Sequence, residues 1–441
     1  MRFPQRPPDM QHLLPQTPPG ILHRLYTQPE LVTADKYLHW DEIRRRTPPA
    51  GLTREQWWLQ LKLERAVQRV TIPLFDPKGS PFHFVPTPLV QEALPPIDKR
   101  AWKPPVSDDR WVVREEAEQY GVSTFIDEAT TSSLLEGAAT TRVAAREMLW
   151  HRREPQTKGE RMVYNNFHTM EHVKSIRNSP MTPDLVLDLH ARITKDTWDG
   201  DNDASGRFRR DDEHIRVMSE DITLHVPPPA AQLPERMRAM CDFANGKTPG
   251  RYVHPVLRAI ILHFWLAYDH PFKDGNGRTA RALFYWLLLR EGYWLFEFLS
   301  ISSVLLEAPS RYARAFLYTE TDDNDLTYFI LYNLRAIERA IAAMDGHVDG
   351  KREEVREVEA RLEQTHDFNH RQLALLTHAL RHPHQRYTLD SHRVSHGVSR
   401  QTARNDFTGL VEAGLLTEKR VSRRLIFRPV PDLAEKLGED R

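Results

Sequence analysis

A single cysteine, Cys241, stands in 441 residues. One thiol cannot close an intrachain disulfide, so no disulfide framework supports the fold, and the usage fits a reducing cytosol. Long hydrophobic runs are missing as well. The stretch from Ile260 to Tyr268 is interrupted by His263 and falls far short of the ~20 residues that span a bilayer. The opening residues, Met1-Arg2-Phe3-Pro4-Gln5-Arg6-Pro7-Pro8, lack the apolar core of a signal peptide. A cytoplasmic protein with no membrane partner is the expectation. Excess charge is absent too: 61 Lys+Arg balance 61 Asp+Glu, so any binding signal must be local. No internal repeat is present. A hydrophobic content of 40% with 28% charged residues describes an ordinary globular chain rather than a disordered one.

Proline is what the chain has in quantity, and it marks out segments. Residues 1–35 are proline-rich without periodicity and read as a tail or loosely docked arm. Residues 36–107 form an N-terminal helix and hairpin region. Thr53 to Val70 repeats Leu59, Leu63, Ala66 and Val70 at helical spacing, and two short apolar runs flank the turn Asp76-Pro77-Lys78-Gly79-Ser80. Pro86 to Pro105 looks like a connector. Residues 108–345 are almost wholly helical in pattern, with a polar turn at Asp199 to Asp203. Short strands at Ile215 to Val217 and Ile222 to Val226 interrupt them. Residues 346–367 read as a helical linker and 368–441 as a separate unit. The fold class expected is mainly α.

Chemistry concentrates in His270-Pro271-Phe272-Lys273-Asp274-Gly275-Asn276-Gly277-Arg278-Thr279-Ala280-Arg281. A glycine-rich loop that opens a helix presents free backbone N–H groups at the positive end of the helix dipole, which is an anion site. His270 can take a proton from a hydroxyl near neutral pH. Asp274 is the loop's one carboxylate and the natural Mg²⁺ ligand. Gly275 and Gly277 allow the backbone to approach phosphate, Asn276 can bond a phosphate oxygen, and Arg278 and Arg281 can neutralise distal phosphates. Phe272 should point into the core. These parts fit phosphoryl or nucleotidyl transfer. Upstream, Ser133 and Glu136 have the spacing of a capping box, which would put Glu136 in the first turn of a short helix near 131–141.

His270 to Arg281 matches H-P-F-x-D/E-G-N-G-R-x-x-R without a departure and so resembles the signature of the Fic family. The resemblance runs over roughly Asp108 to Ala343. It takes in the Gly206 to Val217 stretch, which is similar to the family's target-docking flap. It implies a helical Fic fold with a β-hairpin flap, and transfer of AMP from Mg·ATP to a protein hydroxyl. By that resemblance His270 is the base, Asp274 holds Mg²⁺, and Gly275, Asn276, Gly277, Arg278 and Arg281 serve the nucleotide. The target protein docks along the flap near 213–217, and a homodimer is possible. Gly277 separates the chain from the related Doc-type kinases, which carry Lys there. Ser132-Ser133-Leu134-Leu135-Glu136-Gly137 also resembles the family's inhibitory motif. It implies that Ser132 and Glu136 restrain the site, Glu136 through a bidentate pair with Arg281. The same glutamate implies a possible AMP-removing hydrolysis.

The last unit is locally basic, with 11 Lys/Arg against 4 Asp/Glu from Asn369 to Pro429. A short helix from Thr388 to His396 with Leu389 and Val394 inward, a turn, and a helix from Arg400 to Ala413 precede two alternating strands. The order resembles a winged helix-turn-helix. Arg400, Gln401, Arg404 and Asn405 are then the candidate DNA contacts, with wing residues Lys419, Arg420, Arg423, Arg424 and Arg428 beside them. A nucleotide-sensing DNA-binding regulator is the alternative function.

Overall fold

Threonine, serine and aspartate caps open many of the helices: the residue before the helix accepts a first-turn N–H that has no partner within it. The computed structural model describes residues 2–27, 36–102, 114–198, 204–219, 221–364, 368–381, 385–421 and 424–438. The chain divides into two units, Met1–Pro104 with Ser123–Ile341, and Pro105–Val122 with Ala342–Arg441.

In the first unit, Asp9 caps α1 (Met10–Gln16), and α2 (Pro19–Thr27) and α3 (Trp40–Ile43) follow. Thr53 and Gln56 form a reciprocal capping box at α4 (Arg54–Val67). A hairpin, β1 (Val70–Phe75) with β2 (Pro81–Phe84), leads to α5 (Pro88–Ala101). Next come α6 (Arg114–Leu135), which belongs to this unit from Ser123 on, α7 (Arg142–Trp150), α8 (Lys158–Ser175) and α9 (Pro183–Thr194). The second hairpin pairs β3 (Val217–Ser219) with β4 (Ile222–His225). Then follow α10 (Leu233–Ala244), α11 (Pro255–Asp269), α12 (Asn276–Arg290), α13 (Ile301–Glu307), α14 (Pro309–Thr321) and α15 (Thr327–Gln364), which belongs to this unit up to Ile341. Both α11 and α12 are buried on nearly every face; α11 and the second half of α12 are apolar almost all round, and the polar residues that open α12, Asn276, Arg278, Thr279 and Arg281, are buried with hydrogen-bond partners. The two helices pack on each other and hold the 270–275 loop between them.

Several expectations are refined or corrected. Residues 10–27 are the docked arm rather than a bare tail. Leu25, with Leu13, Ile21 and Leu22, packs on Leu59 of α4, and that burial orders a segment whose sequence lacks periodicity. The connector expected at 86–105 is largely the helix α5, because Thr87 caps it and Val90, Ile97 and Ala101 bury one face despite Pro95 and Pro96. The strand expected at 215–217 runs instead from Val217 to Ser219. The linker expected from 346 is continuous with α15, since nothing in that charged sequence stops a helix. The polar turn at 199–203 lies outside the described residues. No helix among those described is long and apolar enough to cross a membrane.

The N-terminal region is bolted to the helical body by buried charge. Lys62 meets Asp322 at 2.6 Å, Arg65 donates to the Tyr328 hydroxyl at 2.9 Å, and the Tyr37 hydroxyl donates to Asp325 at 2.5 Å. Breaking one partner of such a buried network costs on the order of 3–5 kcal/mol where a charge is stranded; without Asp322, Lys62 keeps Asp323 at 2.8 Å, while Arg65 loses its carboxylate at 3.7 Å and the Tyr328 hydroxyl its acceptor at 2.7 Å. Asp322→Ala is therefore expected to lower the melting temperature of the first unit far more than any single surface change, which calorimetry would check.

The second unit contains α16 (His370–Arg381), β5 (Tyr387–Thr388), α17 (Leu389–His396), α18 (Arg400–Glu412), β6 (Leu416–Val421), β7 (Arg424–Pro429) and α19 (Leu433–Gly438). The sheet order is β5-β7-β6, all antiparallel. Phe407 stacks on Phe427 at 4.1 Å at the centre of its core. Val394 is 73% exposed, contrary to expectation. Leu389 and His392 share the inward face at three-residue spacing, and a residue two further on points away. Arg423 lies outside the described residues.

Candidate active site

Helix α11 ends on a histidine in the left-handed conformation: His270 has φ 44° and ψ 55°. A non-glycine residue there costs about 1 kcal/mol or more, so surrounding contacts must hold it. Its Nδ1 lies 3.3 Å from the Ala267 carbonyl. A carbonyl only accepts, so Nδ1 carries the hydrogen and Nε2 keeps its lone pair. Burial pushes the ring down to about 4. His270 therefore stands neutral at pH 7, with the Nε2 lone pair available to a proton. Burial also takes His190 to about 4. The folded state thus binds fewer protons than the unfolded chain below the ordinary value of 6.5. Stability is expected to be full above pH 6.5 and to fall as pH drops toward 4. His270→Ala should remove part of that slope in melting curves taken across pH.

The loop beyond is fixed from within. Phe272 is fully buried and stacks on His190 at 3.7 Å. Asn276 accepts the Phe272 N–H at 2.9 Å and donates to the Phe272 carbonyl at 2.8 Å. These two bonds use the side-chain oxygen and one of the two amide hydrogens, and they fix the loop to the first turn of α12. Gly275, with φ 83°, leaves no room for a side chain: a Cβ would stand 2.8 Å from Thr194 Cγ2. Asp274 is half-exposed, accepts the Gly275 N–H at 2.6 Å, and faces Arg278 Nη2 at 3.3 Å. Arg278 is completely buried. It donates to the Ile193 carbonyl at 3.3 Å, and its Nε has no hydrogen-bond partner. Burial lowers its basicity.

Helix α12 starts without a side-chain cap and without an acid in its first turn. Glu136 supplies that negative charge from elsewhere. It follows the last residue of α6, where Gly137 (φ 81°) and Ala138 close a Schellman motif on the Leu134 and Ser133 carbonyls. The capping-box reading is thereby corrected. The Ser133 hydroxyl donates back to the Ala129 carbonyl at 2.7 Å inside the helix, so Glu136 stands at a helix end, not a beginning. A spacing of three shows no direction, and Gly137 decides it.

Arg281 joins the two helices. It donates to Glu136 Oε1 at 3.0 Å, to the Ser132 hydroxyl at 2.7 Å and to the Ser132 carbonyl at 2.9 Å. The pair with Glu136 is single, not bidentate as expected, because Nε and the other Nη2 hydrogen go to Ser132. The carboxylate also lies over Gly277, where an added Cβ would come within 2.0 Å of Oε1. Gly277→Ala is accordingly expected to lower the melting temperature of the wild-type chain and to raise it in Glu136→Gly. In the latter only the intrinsic helix preference for alanine, about 1 kcal/mol, remains.

Three residues that sequence reasoning missed surround the turn: His190, Arg209 and His225. His190 donates Nε2–H to the Asp274 carbonyl at 2.9 Å and accepts the Gly206 N–H at 3.1 Å. No motif marked it; a lone histidine on an amphipathic helix carries no signal. In the segment expected to dock a target, only Val217 belongs to a strand. Glu213 is held by two bonds from Arg207, both 2.9 Å, and that contact takes its carboxyl down to about 2.

Comparison with known proteins places this geometry. Residues 180–288 match the Fic/DOC family. The chain is 30% identical over 167 residues to a protein adenylyltransferase Fic of Nematostella vectensis, covering 38% of this chain and 35% of that protein. It is 28% identical over 165 residues to one of Aedes aegypti, covering 37% and 29%. The matched stretch thus spans about a third of these relatives' length. A crystal structure of a Fic family protein from Desulfovibrio desulfuricans G20 superposes with a TM-score of 0.51 at 19% identity, over 78% of this chain and 97% of that one, a likeness of fold. The stretch that matches the Fic/DOC family runs from α9 into α12 and holds the His270–Arg281 turn.

Proposed function

We propose that the chain is a protein adenylyltransferase that transfers AMP from Mg·ATP to a Ser, Thr or Tyr hydroxyl of a target protein and is restrained by its own Glu136. One observation carries the reading: the Glu136 carboxylate sits on Arg281 and over Gly277, at the open N-terminus of a helix built to receive an anion. While it stays there, a triphosphate meets a like charge and an occupied arginine.

In the transfer, Nε2 of His270 accepts the hydroxyl proton as the oxygen attacks the α-phosphorus. The bond from that phosphorus to the bridging oxygen breaks, and pyrophosphate leaves with the electron pair. The first-turn N–H groups of α12 and the Arg278 guanidinium hold phosphate oxygens, and Arg281 takes the distal phosphate once Glu136 gives way. Asp274, a half-exposed oxygen donor, fits as the residue that would hold Mg²⁺. The ion would supply charge neutralisation on the phosphates. The target lies along β3 and β4, where Met218 and Ile222 are exposed.

Mass spectrometry of full-length Glu136→Gly incubated with mixed nucleotides and Mg²⁺ tests the reading. An AMP adduct is expected. An adduct from another nucleotide would reassign the donor, and no adduct at all would overturn the proposal.

Two further readings have observations behind them. Glu136 Oε2 accepts no hydrogen bond among the described residues, which suits a carboxylate that orients water for AMP removal. That activity would fall in Glu136→Gly while transfer rises. In the second unit, Arg400, Gln401, Arg404 and Asn405 are all exposed on one face of α18, whereas Asp406 is turned inward onto Arg371 (2.8 Å) and His392 (3.0 Å). Removing the acid from that face favours nucleic acid. Arg404→Ala should reduce binding to duplex DNA and make its salt dependence shallower; salt-insensitive failure of the wild-type chain to bind would remove this reading.

A further inference from the structure

The carbonyl oxygens around the His270 turn are held by donors from outside it. His225, the last residue of β4, reaches the Tyr268 carbonyl through Nε2 at 2.7 Å. Arg209 donates through Nε to the His270 carbonyl at 2.9 Å, and through Nη2 to the Asp269 carbonyl at 3.4 Å and to the Pro228 carbonyl. Its backbone N–H donates to the Pro271 carbonyl at 2.8 Å. Arg209 precedes the flap hairpin and Pro228 follows it. One guanidinium therefore ties both feet of the flap to the residue in the left-handed conformation.

His225 is under a further constraint. Its Nδ1 faces a Glu320 carboxylate oxygen at 2.7 Å. Neither that carboxylate nor the Tyr268 carbonyl can donate, so both ring nitrogens carry hydrogen and the ring is an imidazolium. The groups that face it are Glu320 of α14, and Tyr268, Asp269 and His270 of α11 and its cap. Asp269 is itself occupied by Arg236 at 2.8 Å and by Trp265 at 3.0 Å. Burial is the largest single influence and works against the charge on His225; the hydrogen bond and charge of Glu320, the Tyr268 carbonyl and Asp269 together outweigh it, leaving the ring more basic than an ordinary histidine.

We infer that Arg209 and His225 are positioning residues that lock the two feet of the flap to the His270 turn, so that a hydroxyl presented along the flap meets Nε2 of His270 in one place. The kinetic part of this inference rests on the proposed transfer reaction. A misplacement of about 1 Å between reacting groups can cost on the order of 10²-fold in rate. If the His225–Glu320 pair loses its proton, the neutral ring keeps one N–H. The charged acceptor holds it, and a lone pair then faces the Tyr268 carbonyl, so the clasp weakens as pH rises. In Glu320→Gln the amide can donate to Nδ1, which leaves Nε2–H on Tyr268 whether or not the solution is alkaline.

Two measurements on the full chain decide this. Nitrogen NMR of labelled histidine side chains at neutral pH is expected to show one imidazolium with both N–H groups protected from exchange. That signal should be lost in His225→Phe, with the His270 resonances shifted. A neutral His225, or His270 resonances that do not move, would overturn the inference. In the Glu136→Gly background with α-labelled Mg·ATP, His225→Phe should lower kcat by about 10- to 100-fold with the Kd for Mg·ATP unchanged. The parent should lose rate as pH rises, and Glu320→Gln should abolish that loss. An unchanged kcat, or an alkaline loss that survives in Glu320→Gln, would also overturn it. Should His225→Phe fold poorly, the Glu320→Gln profile decides alone. Should Glu136→Gly transfer nothing, the proposed reaction fails, and the NMR measurement still settles the clasp.

Discussion

Glu136→Gly is expected to raise AMP transfer by about 10²-fold. The carboxylate makes one charge-assisted hydrogen bond to a buried arginine and covers the first turn of α12. A hydrogen bond to a charged group contributes about 1.5–3 kcal/mol, and each 1.4 kcal/mol is a factor of ten. Competition for Arg281 alone thus accounts for roughly one to two orders of magnitude. Repulsion between carboxylate and phosphate adds to it. Incorporation of label from the α-phosphate of ATP into protein is the measurement. Glu136→Gln keeps the volume and removes the charge, so it should fall between wild type and glycine if charge is the larger share. A Glu136→Gly rate equal to wild type would refute the restraint. Arg281 should stay folded in the variant, because Ser132 still accepts two of its hydrogen bonds.

His270→Ala added to Glu136→Gly is expected to remove that transfer, with a loss of about 10²–10⁴ from the missing base. Nucleotide affinity should persist, because the phosphate donors sit on α12 and Arg278. The backbone at this position needs care. At φ 44° an alanine pulls against its own preferred conformation, and a loss of activity could come from the turn rather than from the imidazole. His270→Asn separates the two, since asparagine tolerates the left-handed region and is not a base. Both variants inactive with Kd for Mg·ATP retained is the expected result. Activity surviving in His270→Asn would take the base role away from this residue.

Much of the site was legible because its parts are consecutive. A turn of twelve residues with a base, a carboxylate, two glycines and two arginines shows its chemistry without coordinates, and so does the apolar periodicity of the helices on either side. Gly275 and Gly277 were read as places for close approach. What approaches them, Thr194 at one and Glu136 at the other, was not readable from local spacing. The loop-bracing bonds of Asn276 to Phe272 were likewise not readable, because a side chain that can bond phosphate can equally bond its own loop.

The sequence by itself determined the helical class, the anion-binding turn and the pairing of Glu136 with Arg281 as candidates, since each depends on short-range pattern or on a motif. Only the tertiary structure decided the direction of Glu136, which leaves a helix rather than entering one, and the single contact it makes. Tertiary structure alone also brought His190, Arg209 and His225 to the carbonyls of the turn, across separations of 43 to 84 residues. The physical reason is the same throughout. Backbone carbonyls carry no sequence signature, so the residues that hold them are defined by where the chain folds and not by the neighbours they have along it.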